Sequence, residues 1–101
     1  MSMLASIVAK EQQRNMNMIL EYTKELESLP KGSIRAKNVK GKIYYYLNYR
    51  EGNKVVSKYI GKDLDKISDL KNLIERRIQI EKIIKQLKVE RKEIVKMEGK
   101  L

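Results

Sequence analysis

The chain contains neither cysteine nor histidine. That pair of absences excludes disulfides, thiolate nucleophiles and the usual ligands of zinc and iron. It also removes the commonest general base near neutral pH. Tryptophan and phenylalanine are missing too, so large anchors must come from six tyrosines and from Ile, Leu and Val. Pro30 is the single proline, and Gly32, Gly41, Gly52 and Gly61 stand one at a time at turn positions, not in a phosphate-cradling loop. No run of about 18 apolar residues exists to span a bilayer. Met1 to Lys10 lacks the basic start and apolar middle of a secretion signal. The expectation is a cytoplasmic protein of one domain over residues 1–101, with no membrane, metal, cofactor or small-molecule partner.

What is abundant is charge, and it is unevenly placed. Residues 1–30 carry three basic and four acidic side chains, residues 31–62 nine and one, and residues 63–101 eleven and eight. The middle third therefore holds +8 of the net +10, together with five of the six tyrosines, Tyr44, Tyr45, Tyr46, Tyr49 and Tyr59. A concentrated cationic patch attracts phosphates more effectively than the same charge spread over a surface.

Periodicity divides the chain into three parts. Leu4, Val8, Met18, Tyr22 and Leu26, with Ile7 and Ile19 beside them, recur at three- and four-residue steps and predict a helix over 4–29, ended by Pro30. The polar stretch Glu11 to Asn15 interrupts that stripe and suggests loosely held first turns. Residues 64–98 predict a long helix, about 50 Å at 1.5 Å per residue, with Asp63 as N-cap and Gly99 as stop. Its apolar stripe runs Leu73, Ile80, Leu87, Ile94 and Leu101 at seven-residue spacing, with Leu70 and Ile84 alongside and Arg77 and Arg91 as interruptions. Such a stripe needs a partner helix, either the first helix in an intramolecular hairpin or a second copy of the chain. Because this helix is about ten residues longer than the first, a homodimer through residues 64–98 would cover the excess. Between the helices, turn signals at Lys40-Gly41 and Glu51-Gly52-Asn53 give three strands within 33–60. The fold class is α+β: helix, three-stranded antiparallel meander, long coiled-coil-like helix.

Register decides which side chains share a face. A two-residue turn at Lys40-Gly41 sets Arg35 opposite Tyr46, Lys37 opposite Tyr44, Ile34 opposite Leu47 and Ala36 opposite Tyr45. For the second turn, a two-residue loop would bring Lys54 and Lys58 beside Tyr45, Leu47 and Tyr49. A three-residue loop over Glu51, Gly52 and Asn53 gathers Ile34, Ala36, Ile43, Tyr45, Leu47, Tyr49, Val55, Ser57 and Tyr59 on one uncharged face. It is the expected register because it separates apolar from charged residues and because Asn53 tolerates a left-handed conformation. The opposite face then carries Arg35, Lys37, Tyr44, Tyr46, Arg50, Lys54, Val56 and Lys58, with Lys40 and Lys42 at the adjoining turn. Apart from Val56, these nine are the candidate nucleic-acid-binding residues: cations neutralise phosphates, tyrosines stack on bases or hydrogen-bond to the backbone, and arginines read base edges. The bland alternative is a solvated sheet face whose lysines guard the edges against aggregation.

No catalytic residue is assigned. A nucleophilic tyrosine of the recombinase kind needs Arg, Lys and usually His around it from a larger domain, and this chain has no His. The carboxylates of the last helix alternate with cations, as in Glu81 and Lys85, which reads as a salt-bridged solvent face and not as an acid–base pair.

The run Leu29-Pro30-Lys31-Gly32-Ser33-Ile34, followed by Gly41-Lys42-Ile43-Tyr44-Tyr45-Tyr46 and by Tyr49 through Lys62 (YREGNKVVSKYIGK), resembles a group of small uncharacterised prokaryotic and phage proteins. They share an LPKGSI…YYYxxYREGxKVxSKYIGK hairpin followed by a charged helix. The likeness is close over about a third of the chain. A similar hairpin heads some transposases, and three-stranded sheets backed by a helix form arm-binding domains of some phage integrases. The resemblance implies DNA binding in a mobile-element or defence setting; unlike in the integrases, no catalytic domain is expected to follow. Three readings stand at this point. One is a DNA-binding accessory or regulatory protein, such as a repressor or antitoxin. Another is an inhibitor, an antitoxin or anti-CRISPR-type phage protein, that blocks a nucleic-acid-binding enzyme. The third is a coiled-coil adaptor.

Overall fold

The computed structural model describes residues 2–101. Element order is α1 (Met3–Glu27), β1 (Ser33–Val39), β2 (Lys42–Glu51), β3 (Lys54–Gly61) and α2 (Leu64–Glu98), an α+β chain with the long helix at its C-terminal side. Two compact units result: one formed by the N-terminal residues through Ser28 with Gln79–Leu101, the other by Leu29–Ile78.

In the first unit α1 packs against the second half of α2. Helix α1 starts one residue earlier than expected because Ser2 caps it, its hydroxyl accepting the Ala5 N–H at 3.1 Å. It stops at Glu27, two residues short of the expected end. The Ser28 hydroxyl donates to the Glu25 carbonyl at 2.7 Å, and Pro30 forbids continuation. The polar stretch expected to loosen the first turns does the opposite. Asn15 is 3 % exposed, and its Nδ2 donates to the Leu87 carbonyl at 2.8 Å, tying the two helices together through a backbone group. Val8, Ile80, Ile84 and Leu87 of the same unit are buried as well, Ile80 completely.

In the second unit a three-stranded antiparallel sheet of order β1-β2-β3 accompanies the first half of α2. Asp63 caps that helix as expected, Oδ1 accepting the Asp65 and Lys66 N–H groups at 3.0 and 3.4 Å. The inward position belongs to Ile74, not to Leu73, which is 46 % exposed, so the heptad expectation fails at that point. Ile67 and Ile74 are buried and share a groove of about 450 Å³ with Ile34 and Tyr45 of the sheet. The first half of α2 is thus accompanied by the sheet, while Leu64, Leu73 and Ile78 on it stay exposed. Arg77, which appeared only to interrupt the stripe, donates Nη1 to the Leu29 carbonyl at 2.8 Å and anchors the segment leading into β1.

The β1–β2 register is the expected one, with Arg35 opposite Tyr46 and Lys37 opposite Tyr44. Lys40 and Gly41 both have positive φ, +52° and +82°, the signature of a type I′ turn, and Asn38 Oδ1 accepts the Gly41 N–H at 3.0 Å. Gly32 lies where β1 enters the sheet: at φ +121°, a Cβ there would run into the Asn48 carbonyl, so only glycine fits.

The β2–β3 register corrects the expectation. Glu51 pairs with Lys54, which leaves a two-residue turn at Gly52-Asn53, and Arg50 faces Val55, Asn48 faces Ser57, Leu47 faces Lys58 and Tyr46 faces Tyr59. Gly52 takes φ +61° and Asn53 stays at negative φ, as in a type II′ turn whose twist suits a hairpin. The three-residue loop would have kept charge off the helix side, but β3 is an edge strand. Lysine stems can lie along an edge with the ammonium in water, so inward parity costs little there. A bulge then sets Gly61 opposite Tyr45. The helix side of the sheet keeps the half-buried Ile34, Tyr45 and Leu47 and gains Val56, expected on the charged face, beside Ile60, while Val55 and Tyr59 pass to the other side and are exposed.

Candidate nucleic-acid interface

Side-chain alternation and the observed register place Arg35, Lys37, Lys42, Tyr44, Tyr46 and Arg50 on one sheet face, opposite the one that meets Ile67 and Ile74. Lys40 occupies the tip of the β1–β2 turn. Lys54 and Lys58, expected with this set, fall on the other face because of the two-residue turn. Seven of the nine candidates therefore lie on or beside one surface.

Three members of the surface were missed. Tyr59 crosses to it with the change of register. Its ring lies 5.5 Å from that of Tyr46 at 58° and 6.2 Å from that of Tyr44 at 52°. Such tilted contacts put ring edges toward ring faces, the favoured arrangement of aromatic pairs. Lys62 places its ammonium 4.5 Å from the centre of the Tyr44 ring, and Lys37 reaches diagonally across the strands to sit 5.0 Å over Tyr46. Lys62 follows the bulge, where counting alternate residues no longer tells the face, so only its membership of the basic segment could have flagged it. The third is Asn48. It floors a shallow open depression shared with Arg35, Arg50, Ser33 and Val55, and its Oδ1 is buried without a hydrogen-bond partner.

The surface thus combines five cations, Arg35, Lys37, Lys42, Arg50 and Lys62, with a packed trio of tyrosines. The unit that contains it carries thirteen basic and five acidic side chains, a net of +8, against +2 for the helical unit with ten and eight. Among the described residues no group of three or more Asp or Glu could hold a metal ion, and no helix is long and apolar enough to cross a membrane.

Residues 7–69 match a family described as a domain of unknown function (DUF6788), and the chain belongs to that family. The matched segment runs from α1 through the whole sheet into the start of α2. No curated protein and no solved structure matches the chain.

Proposed function

We propose that this is a non-catalytic nucleic-acid-binding protein, accessory or regulatory in role, whose contact surface is the exposed face of the sheet. The observation that carries the reading is the gathering of Arg35, Lys37, Lys42, Arg50 and Lys62 on one face with no acidic residue among them. Counter-ion release from a nucleic acid gives each such cation a favourable, salt-dependent contribution. The tyrosines fix the cations: Tyr44 and Tyr46 each hold an ammonium over the ring, which restrains two lysine side chains that would otherwise lose entropy on binding.

The test is retention of a labelled 20-base-pair DNA by the purified chain over a salt series. The expected result is affinity that drops steeply with salt and falls further in the Arg35→Ala plus Lys37→Ala variant. Retention that ignores salt would sink the reading, as would the absence, at 50 mM salt, of any retention of this duplex, its RNA counterpart or a single strand.

A second reading, a protein-directed inhibitor of a nucleic-acid-binding enzyme, draws support from a different place. In the helical unit, Leu4, Ile7 and Met97 are half exposed around a cleft that also includes Val8 and Ile94. An inhibitor acting there would lose its protein complex on Ile7→Lys and keep it in the Arg35→Ala plus Lys37→Ala variant.

A further inference from the structure

We infer that the ligand of the sheet face is a duplex gripped through its phosphate backbone, and not a single strand whose bases stack on the tyrosines. The inference rests on the nucleic-acid reading above and narrows its ligand.

Proteins that hold single strands offer aromatic faces on which successive bases lie flat. The three tyrosines of this face are not arranged that way. Tyr59 stands between Tyr44 and Tyr46 and leans against both at 52° and 58°, so each ring packs on a neighbouring ring. The ammonium groups of Lys62 and Lys37 sit over Tyr44 and Tyr46 at 4.5 and 5.0 Å. A base arriving at either ring would have to displace a cation already in an attractive position. What the surface presents outward, beside the half-exposed Tyr59 already packed on two rings, is a set of ammonium and guanidinium groups, which are phosphate-directed.

Charge density points the same way. Duplex DNA carries about twice the axial charge of one of its strands, and each neutralised phosphate contributes a slope of about 0.9 for a duplex against about 0.7 for a single strand. Five cations engaged together give a log–log salt slope of about −4 to −5 on a duplex, a loss of several hundred-fold between about 50 and 200 mM salt. The depression between Arg35 and Arg50 is shallow and open, unlike the snug pocket that holds a flipped base.

The experiment titrates the intact chain with three probes, a 20-base-pair DNA, the RNA duplex of the same sequence and a 20-residue thymidine strand, while following tyrosine fluorescence. The chain has no tryptophan, so the tyrosines report directly. The expected result is that the better of the two duplexes binds at least about tenfold more tightly than the single strand, without tyrosine quenching by stacking. Either duplex supports the inference, because the phosphate backbone is common to both. A thymidine strand that binds as tightly as the duplexes, or quenching that accompanies binding, overturns the inference and leaves the nucleic-acid reading in place. Failure of all three probes to bind at 50 mM salt overturns both.

Discussion

The helical unit and the sheet unit are held together in different ways. Around α1 and the second half of α2, Val8, Asn15, Ile80, Ile84 and Leu87 are buried, whereas in the sheet unit the buried apolar side chains among the described residues are Ile67 and Ile74. Charge is distributed in the opposite sense, +2 in the first and +8 in the second. The helical unit draws its stability from burial. The sheet unit relies on strand pairing, two tight turns and side-chain anchors such as Arg77, and it tolerates a cationic face because that face needs no core of its own. Residues that fold the chain and residues proposed to bind its ligand are therefore largely separate sets, and mutations should separate them too.

The largest expected effect is on the helical side. Ile80→Ala empties a fully buried site and should lower unfolding stability by about 2–5 kcal/mol in urea denaturation followed by circular dichroism. A loss below about 1 kcal/mol would mean that the helix pair is not the principal store of stability. Gly32→Ala acts on the sheet side: the Cβ meets the Asn48 carbonyl and the backbone stays at positive φ, so a cost of about 1–3 kcal/mol is expected. Its mark should be faster amide exchange in β1 than in α1. Arg77→Ala removes a partly buried charged donor from the Leu29 carbonyl and should cost about 1.5–3 kcal/mol, again read best in the exchange of β1. Ser2→Ala, which deletes the cap of α1, should cost about 1 kcal/mol and leave nucleic-acid affinity unchanged within about twofold.

Three of the places where sequence and structure part company share a cause. Element order and the β1–β2 register were legible because they depend on local signals: Pro30, the Lys40-Gly41 turn, the Asp63 cap. The β2–β3 register was misjudged because segregation of charge from apolar residues was taken as decisive. On an edge strand it is not, since Lys54 and Lys58 can reach water from either parity. Asn15 looked like a break in the stripe because a polar residue on a buried face is recognisable only once its partner, the Leu87 carbonyl 72 positions away, is known. Leu73 and Ile74 are adjacent apolar residues, and periodicity alone could not say which one turns inward. The candidate surface survived these errors in altered form, losing Lys54 and Lys58 and gaining Tyr59 and Lys62.

That exchange also supplies the sharpest check on where the ligand is held. Two double variants remove the same charge from opposite faces of one sheet: Arg35→Ala with Lys37→Ala, and Lys54→Ala with Lys58→Ala. Binding of a 20-base-pair DNA by each is measured over a salt series. The first pair should reduce the log–log salt slope by about two, and the second should leave it near that of the unaltered chain. Equal reductions from both pairs, or a larger one from Lys54 and Lys58, would contradict the assignment of binding to the face that carries Tyr44, Tyr46 and Tyr59.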